Sequence, residues 1–336
     1  MNGFHDNGLP EEPGKKKRFR LFDSQREGKG VSKEDAKITP DLKGFFRSFG
    51  RNFSKLLSVN LLMVIGNFPV LFAILGLSGW FKLSYMTPVS PFFAGLHNAM
   101  VLQGGQTPAS MALFGVFGMQ IENSAMTTTS YILLGLSALT FLTFGFIKVG
   151  STYVIRSMIR GEPTFLAADF RYAAKRNKKQ AFLFGMLDLF LLLLLPFNLI
   201  VMLQSATSFL SSILLWVNII VSVLYCFMRP YIYLQIITFD LKLGKILKNA
   251  FIFSLLGFKR NILALLGAAL LLLLTVFLVM GMGGLLMPLG IASPLVILFS
   301  ATSFMGIFAA WFKIKEIMID PAEEIQEEEE TLPSEE

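Results

Sequence analysis

The sequence predicts an all-α integral membrane protein: about six transmembrane helices arranged as three hairpins, each preceded by a cytosolic amphipathic elbow helix. Three observations carry this. Of the 336 residues, 54% are hydrophobic and only 16% charged, whereas soluble domains carry about a quarter charged residues. Six apolar runs are long enough to cross ~30 Å of hydrocarbon, which takes about 20 residues. Finally, 29 of the 30 Lys and Arg residues fall on one side of the membrane those runs define.

In chain order, residues 1–40 are polar and charged and read as a disordered cytosolic tail. Lys15, Lys16, Lys17, Arg18 and Arg20 form a basic cluster there, suited to anionic lipid or to fixing topology. The membrane domain covers 41–318, with spans at 56–78, 129–154, 181–203, 209–238, 262–282 and 293–313. Gly281, Gly283 and Gly284 suit a turn, and Ser293-Pro294 reads as the N-cap and first turn of the sixth span. Between the first two spans an outer inserted loop, about 81–128, carries apolar patches at 91–102 and 111–121. Each patch is too short to span, so the loop reads as a re-entrant or interfacial cap. Residues 319–336 hold a run of glutamates that repel one another and read as a disordered acidic cytosolic tail.

The positive charges orient this frame. They gather before span 1, around the connection of spans 2 and 3, around that of spans 4 and 5, and at Lys313 and Lys315. Lys82 alone falls on the other side. Basic residues mark the cytosolic face, so both termini are expected in the cytosol. The same distribution accounts for a pI near 9.4 without nucleic acid, and no aromatic–basic RNA motif or recognition helix is present.

A threefold repeat runs through the chain. Arg51-Asn52, Arg176-Asn177 and Arg260-Asn261 each sit at the foot of an odd-numbered span. Each follows a short amphipathic stretch, such as Leu42, Phe45, Phe46 and Phe49 interleaved with Lys43 and Arg47. Apolar stripes flanked by bases describe helices lying in the membrane interface. Their starts are expected at Thr39-Pro40-Asp41, Glu162-Pro163-Thr164 and Asp240.

Chemistry is sought at charges inside the spans, because burying one there costs at least ~2.5–3.5 kcal/mol. Lys148 precedes Arg156 by eight residues and Asp188 follows Lys179 by nine, which places both roughly 12–14 Å in from the basic feet. Arg229, beside Pro230, lies at similar depth on span 4. These three form a candidate intramembrane cluster. It fits an ion pair holding helices together or snorkelling side chains better than it fits a functional site, which is the alternative. Asn60, Asn67, Gln204 and Asn218 suit interhelical hydrogen bonds. No catalytic motif is visible: there is no His-Glu-x-x-His, Walker loop, Gly-x-Ser-x-Gly or Cys–His pair. A non-enzyme without cofactor is therefore expected. His97 has no second ligand near it, so no metal site is expected. The single Cys226 cannot form an intrachain disulfide and reads as a small residue in an apolar run.

Three stretches resemble the YesL family of bacterial membrane proteins. The strongest runs from Arg229-Pro-Tyr-Ile-Tyr-Leu-Gln through Phe239-Asp-Leu-Lys-Leu-Gly to Lys248-Asn-Ala-Phe251. The second is Gly150-Ser-Thr-Tyr-Val-Ile-Arg-Ser-Met-Ile-Arg-Gly-Glu-Pro163, with Phe170 and Lys175 beyond it, and the third is Val59-Asn-Leu-Leu62. The resemblance covers most of residues 40–280 and implies a compact multi-helix protein of the bacterial plasma membrane. Genes of that family often accompany carbohydrate ABC transporters and sensor systems. That implies a non-enzymatic accessory or scaffold component whose partners are the lipid bilayer and transporter or sensor subunits. A small-molecule transporter in its own right is the alternative, motivated by the repeat and the buried charges. The family brings no catalytic residues to transfer, and the insertion at 81–128 departs from its pattern.

Overall fold

The computed structural model describes residues 38–88, 120–205, 208–281 and 284–321. The Lys15–Arg20 cluster, His97, both apolar patches of the outer loop up to residue 119, and the acidic run after 321 lie outside the described residues. Among those described, twelve α-helices carry the fold, with one two-stranded ribbon. Five helical stretches are long and apolar enough to cross a membrane, or six if one bent pair counts as a single span. Their large apolar side chains fit a lipid environment.

The chain opens with α1 (Leu42–Arg51), whose N-cap is Asp41; its carboxylate accepts the Gly44 N–H at 2.8 Å. Helices α2 (Phe53–Gly66) and α3 (Val70–Leu77) follow. They correspond to the expected first span but are bent by 65° at Asn67-Phe68-Pro69, where proline removes a backbone donor. A ribbon then forms, β1 (Lys82–Pro88) antiparallel to β2 (Gln120–Met126), with Lys82 opposite Met126. These are the two ends of the inserted loop, which an all-α expectation did not foresee. The Thr127 hydroxyl ties the ribbon's base to the Phe81 carbonyl at 2.5 Å and also caps α4 (Thr128–Ser137). After a tight turn α4 continues as α5 (Thr140–Arg160), so the second stretch runs to Arg160 rather than 154.

Helix α6 (Leu166–Arg176) is followed by the long α7 (Lys178–Ser205) and α8 (Phe209–Thr238), then by α9 (Leu243–Leu256) and α10 (Phe258–Met280). The last stretch, 287–319, comprises α11 (Met287–Ser293), a π-helical turn at Pro294–Leu298, α12 (Phe299–Ile314) and a second π turn. Ser293-Pro294 therefore does not open the sixth stretch: Met287-Pro288 does, and Pro294 lies inside it. A proline inside a helix lacks one N–H and frees a carbonyl. The carbonyl one turn back, at Gly290, accepts the Ser293 hydroxyl at 3.0 Å. The Asn60 amide enters the ladder further on, donating to the Pro294 and Leu295 carbonyls at 2.9 and 2.8 Å. Its own oxygen accepts the Ser300 N–H at 3.0 Å.

Packing is uneven along the helices. The core gathers near the basic feet: Leu56 and Val59 of α2, Val149 to Ile159 of α5, Phe184 of α7, Tyr231 to Ile237 of α8, and Phe304 to Ile314 of α12. Helices α1, α6 and α9 clasp this half. Phe45 of α1 meets Phe304 and Phe308 at 5.6 and 5.3 Å between ring centroids. Phe170 of α6 fills the space left by Gly150, and Phe253 of α9 lies 6.2 Å from Tyr231. Toward the opposite ends α3 packs on α4, α7 on α8 and α10 on α11, while α7 also packs on α5 and α10 on α12. There Leu193, Phe197, Phe209, Trp216, Leu270 and Phe277 are largely exposed.

Candidate functional site

Helices α5 and α7 can cross closely because two glycines meet. A Cβ on Gly145 would fall 1.8 Å from the Ala181 carbonyl oxygen, and one on Gly185 would fall 2.2 Å from the Gly145 Cα. Lys148 and Asp188 each lie three residues past this crossing, on helices brought to backbone contact.

Asp188 is fully buried. Arg229 of α8 grips it with two bonds, Nε to Oδ1 at 2.6 Å and Nη2 to Oδ2 at 3.0 Å. The Tyr225 hydroxyl donates to Oδ1 and the Tyr233 hydroxyl to Oδ2, both at 2.6 Å. Four donors on two oxygens leave the carboxylate little capacity for a further partner. The guanidinium fork is the geometry in which an ion pair best withstands a low dielectric. Phe184 covers the assembly, its ring edge-on to Tyr233 with centroids 5.1 Å apart. The Asp188–Arg229 pair is thus a lock between α7 and α8.

Lys148 does not join that pair. Its ammonium forms no ion pair or hydrogen bond with the described residues, and its nearest ring, Phe144, is 5.9 Å from Nζ to centroid. It lines instead a half-open cavity of about 220 Å³ bordered by α5, α8, α10 and α12. Thr152, Arg229, Tyr233, Thr302 and Ser303 supply the other polar walls of note. Space is left by small residues, Ala264 and Ala268 on α10 and Gly306 on α12. A Cβ on Gly306 would meet the Pro230 ring at 2.9 Å, so this glycine allows α12 to approach α8. The sequence-level cluster is therefore divided by the fold. Asp188 and Arg229 form the lock, and Lys148 and Arg229 line the cavity.

The feet also separate. Asn52 and Asn177 occupy equivalent breaks, one residue between a short helix and a long one. Each side-chain amide donates to the carbonyl four residues back, Ser48 at 2.9 Å and Ala173 at 3.0 Å. In the third unit the break falls at Gly257, and Asn261 sits four residues inside α10. Asn261 reaches back to the Ser254 carbonyl at 2.9 Å and accepts the Tyr231 hydroxyl at 3.1 Å. Glycine is needed at 257 because a Cβ would stand 2.2 Å from that hydroxyl. Arg51 and Arg176 stay at the periphery, where Arg176 donates to Tyr172 at 3.1 Å, and Arg260 faces Glu316 at 3.8 Å. The second and third short helices begin at Leu166 and Leu243, later than Thr164 and Asp240. Neither has a side-chain cap on its N-cap residue; Asp169 instead accepts the Phe165 N–H at 2.8 Å.

Arg156, expected among the solvated feet, is buried. It donates to the Thr238 hydroxyl at 3.0 Å and lies 4.7 Å from the Tyr153 ring centroid, with Trp311 at 5.9 Å. Of the interior polar residues, Asn60 bridges helices as described. Asn67 bonds back to Met63 within its own helix, and Asn218 reaches the Met202 sulfur at 3.8 Å. Sequence reasoning missed Tyr225 and Tyr233. Their signal was spacing: Tyr225, Arg229 and Tyr233 recur every four residues on one face of a single helix. Among the described residues no group of three or more His, Cys, Asp or Glu side chains could hold a metal.

No family model, curated protein or solved structure matches the chain.

Proposed function

We propose that the chain is a six-span protein of the bacterial plasma membrane, with both termini cytosolic, and that it works without catalysis as an accessory component of a carbohydrate ABC transporter or sensor. The bent α2–α3 pair is then one span. Helices α1, α6 and α9 are the elbow helices at the cytosolic surface, each leading into a hairpin. The observation that carries this reading is the division of the molecule into a packed half and an open half. Half of each span is held by the clasp helices and by the Asp188 lock, while three hairpins extend from it with large apolar flanks. Such flanks suit contact with other membrane subunits as well as lipid. Asp188, bound by four donors, is better placed to hold α7 and α8 together than to shuttle protons. The resemblance to YesL proteins names the class of partner. The test is photo-crosslinking in native membranes from probes at Phe197 and Trp216. Transporter or sensor subunits are expected among the products, and products made only of lipid would sink the proposal.

One observation favours a second reading, a small-molecule transporter in its own right. The cavity beside Lys148 lies between spans and brings charged and hydroxyl side chains to an otherwise apolar wall. Uptake into liposomes containing only this chain decides for or against it.

A further inference from the structure

The cavity between α5, α8, α10 and α12 presents hydrogen-bond donors and a net positive charge. Lys148 and Arg229 each contribute one positive charge and Asp188 one negative, which leaves one positive charge in an apolar interior. An uncompensated charge at such a depth is costly. No carboxylate of the described residues lies within ion-pair distance of Lys148, because Asp188 is taken by Arg229 and two tyrosines. The donors that remain all border the same space. The Lys148 ammonium has three N–H groups, and Arg229 uses Nε and Nη2 on Asp188 but leaves Nη1 unclaimed. The Thr152 and Ser303 hydroxyls have no partner among the described residues. Thr302 differs, since its hydroxyl donates to the Leu298 and Phe299 carbonyls.

We infer that this cavity is a binding site for a phosphate group carrying one negative charge. A single charge neutralises the site. A tetrahedral oxyanion also uses donors arriving from three helices, Lys148 and Thr152 on α5, Arg229 on α8 and Ser303 on α12, which a planar carboxylate does less well. The volume, about 220 Å³, accommodates a phosphate with a small substituent and not a nucleotide or an oligosaccharide. Ala264 and Ala268 keep the space open. The inference concerns a ligand, so it stands whether or not the chain docks on other subunits.

Two sources supply such a group, free phosphate compounds and the phosphodiester of a lipid headgroup. The experiment separates them. The full chain is purified in maltoside micelles, which carry no phosphate, at mildly acidic pH, and its thermal midpoint is followed against inorganic phosphate, with chloride at equal ionic strength as reference. A saturable rise specific to phosphate is expected. Lys148→Gln should weaken the apparent affinity about tenfold or more, the effect of one charge-assisted contact. Ala268→Leu should abolish the response by filling the cavity while leaving every charge in place, and it carries the test if Lys148→Gln fails to fold. Lys248→Gln, an exposed base on α9, should respond as wild type. If phosphatidylglycerol added to the micelles gives the rise, phosphate adds nothing further, and the same two variants lose it, the headgroup is the ligand. Absence of any response to both probes, or an equal response in wild type and in Ala268→Leu, overturns the inference.

Discussion

Asp188 illustrates how an apolar interior tolerates one carboxylate. Both oxygens are filled by donors on a single helix face, at residues 225, 229 and 233. Removing one partner of a buried pair strands the other, so Arg229→Met alone should destabilise the protein by about 3–5 kcal/mol. Replacing both, Asp188→Leu with Arg229→Met, should cost much less than the two single losses combined. Reversible unfolding in mixed detergent, run as a double-mutant cycle, measures the coupling; additive losses would show that no lock exists. Tyr225→Phe removes one hydroxyl and should cost only about 0.6–1.7 kcal/mol, as interhelical hydrogen bonds do in membranes. Much of this site was legible in the sequence, because a charge inside an apolar run announces itself. The separation of Lys148 from the pair was not, since it depends on how many donors already saturate the carboxylate. At the other end of the exposure scale, the Thr39 hydroxyl at 2.5 Å and the Gly44 N–H hold the Asp41 carboxyl below its ordinary range. A lowered folded-state value means that the cap's contribution is complete above the unfolded value, about 3.9, and is lost as pH falls through the folded one. Loss of helical circular dichroism below that window, absent in Asp41→Asn, checks it.

At the scale of elements, the crossing of α5 and α7 depends on two absent side chains. Gly185→Ala places a Cβ 2.2 Å from the Gly145 Cα, where only backbone can yield. Overpacking of that kind costs about 1–3 kcal/mol. Gly50 is the contrasting case: it lies in α1, and an added Cβ meets nothing within 4 Å. Gly50→Ala should therefore stabilise by about 0.5–1 kcal/mol through helix propensity alone. Opposite signs for the same substitution in one unfolding assay support the crossing, and equal signs contradict it. Helix positions were readable from apolar run lengths, except where proline intervened and where the helix ran on past the apolar run, as from 154 to Arg160. Pro69 and Pro294 sit inside apolar runs that a hydropathy scan reads as uninterrupted. Whether such a proline ends a helix, bends it or widens it depends on which group completes the interrupted ladder. At Pro294 that group is Asn60, more than two hundred residues away in sequence. The third Arg-Asn foot misled for a similar reason, because Gly257 rather than Asn261 takes the break when Tyr231 must fit beneath it.

For the molecule as a whole, hydropathy cannot distinguish a packed apolar helix face from a lipid-facing one, since both are apolar. The division into a packed half and an open half was therefore hidden in the sequence, while the charge asymmetry that orients the halves was plain. The two signals meet at the basic feet. The tightly packed half carries Arg156, Arg160, Arg176, Arg260 and Lys313, and the ribbon carrying Lys82 belongs to the other end. If the positive-inside rule governs this chain, the packed half faces the cytosol and the ribbon faces outward. The single cysteine makes this simple to measure. In a Cys226→Ser background, Lys82→Cys on the exposed start of β1 should react with a membrane-impermeant maleimide in intact cells. Lys245→Cys, exposed on α9, should react only after the membrane is opened. Reversal of the two patterns would invert the molecule and place α1, α6 and α9 outside. Labelling of both sites in intact cells would mean mixed orientation and would contradict the positive-inside expectation.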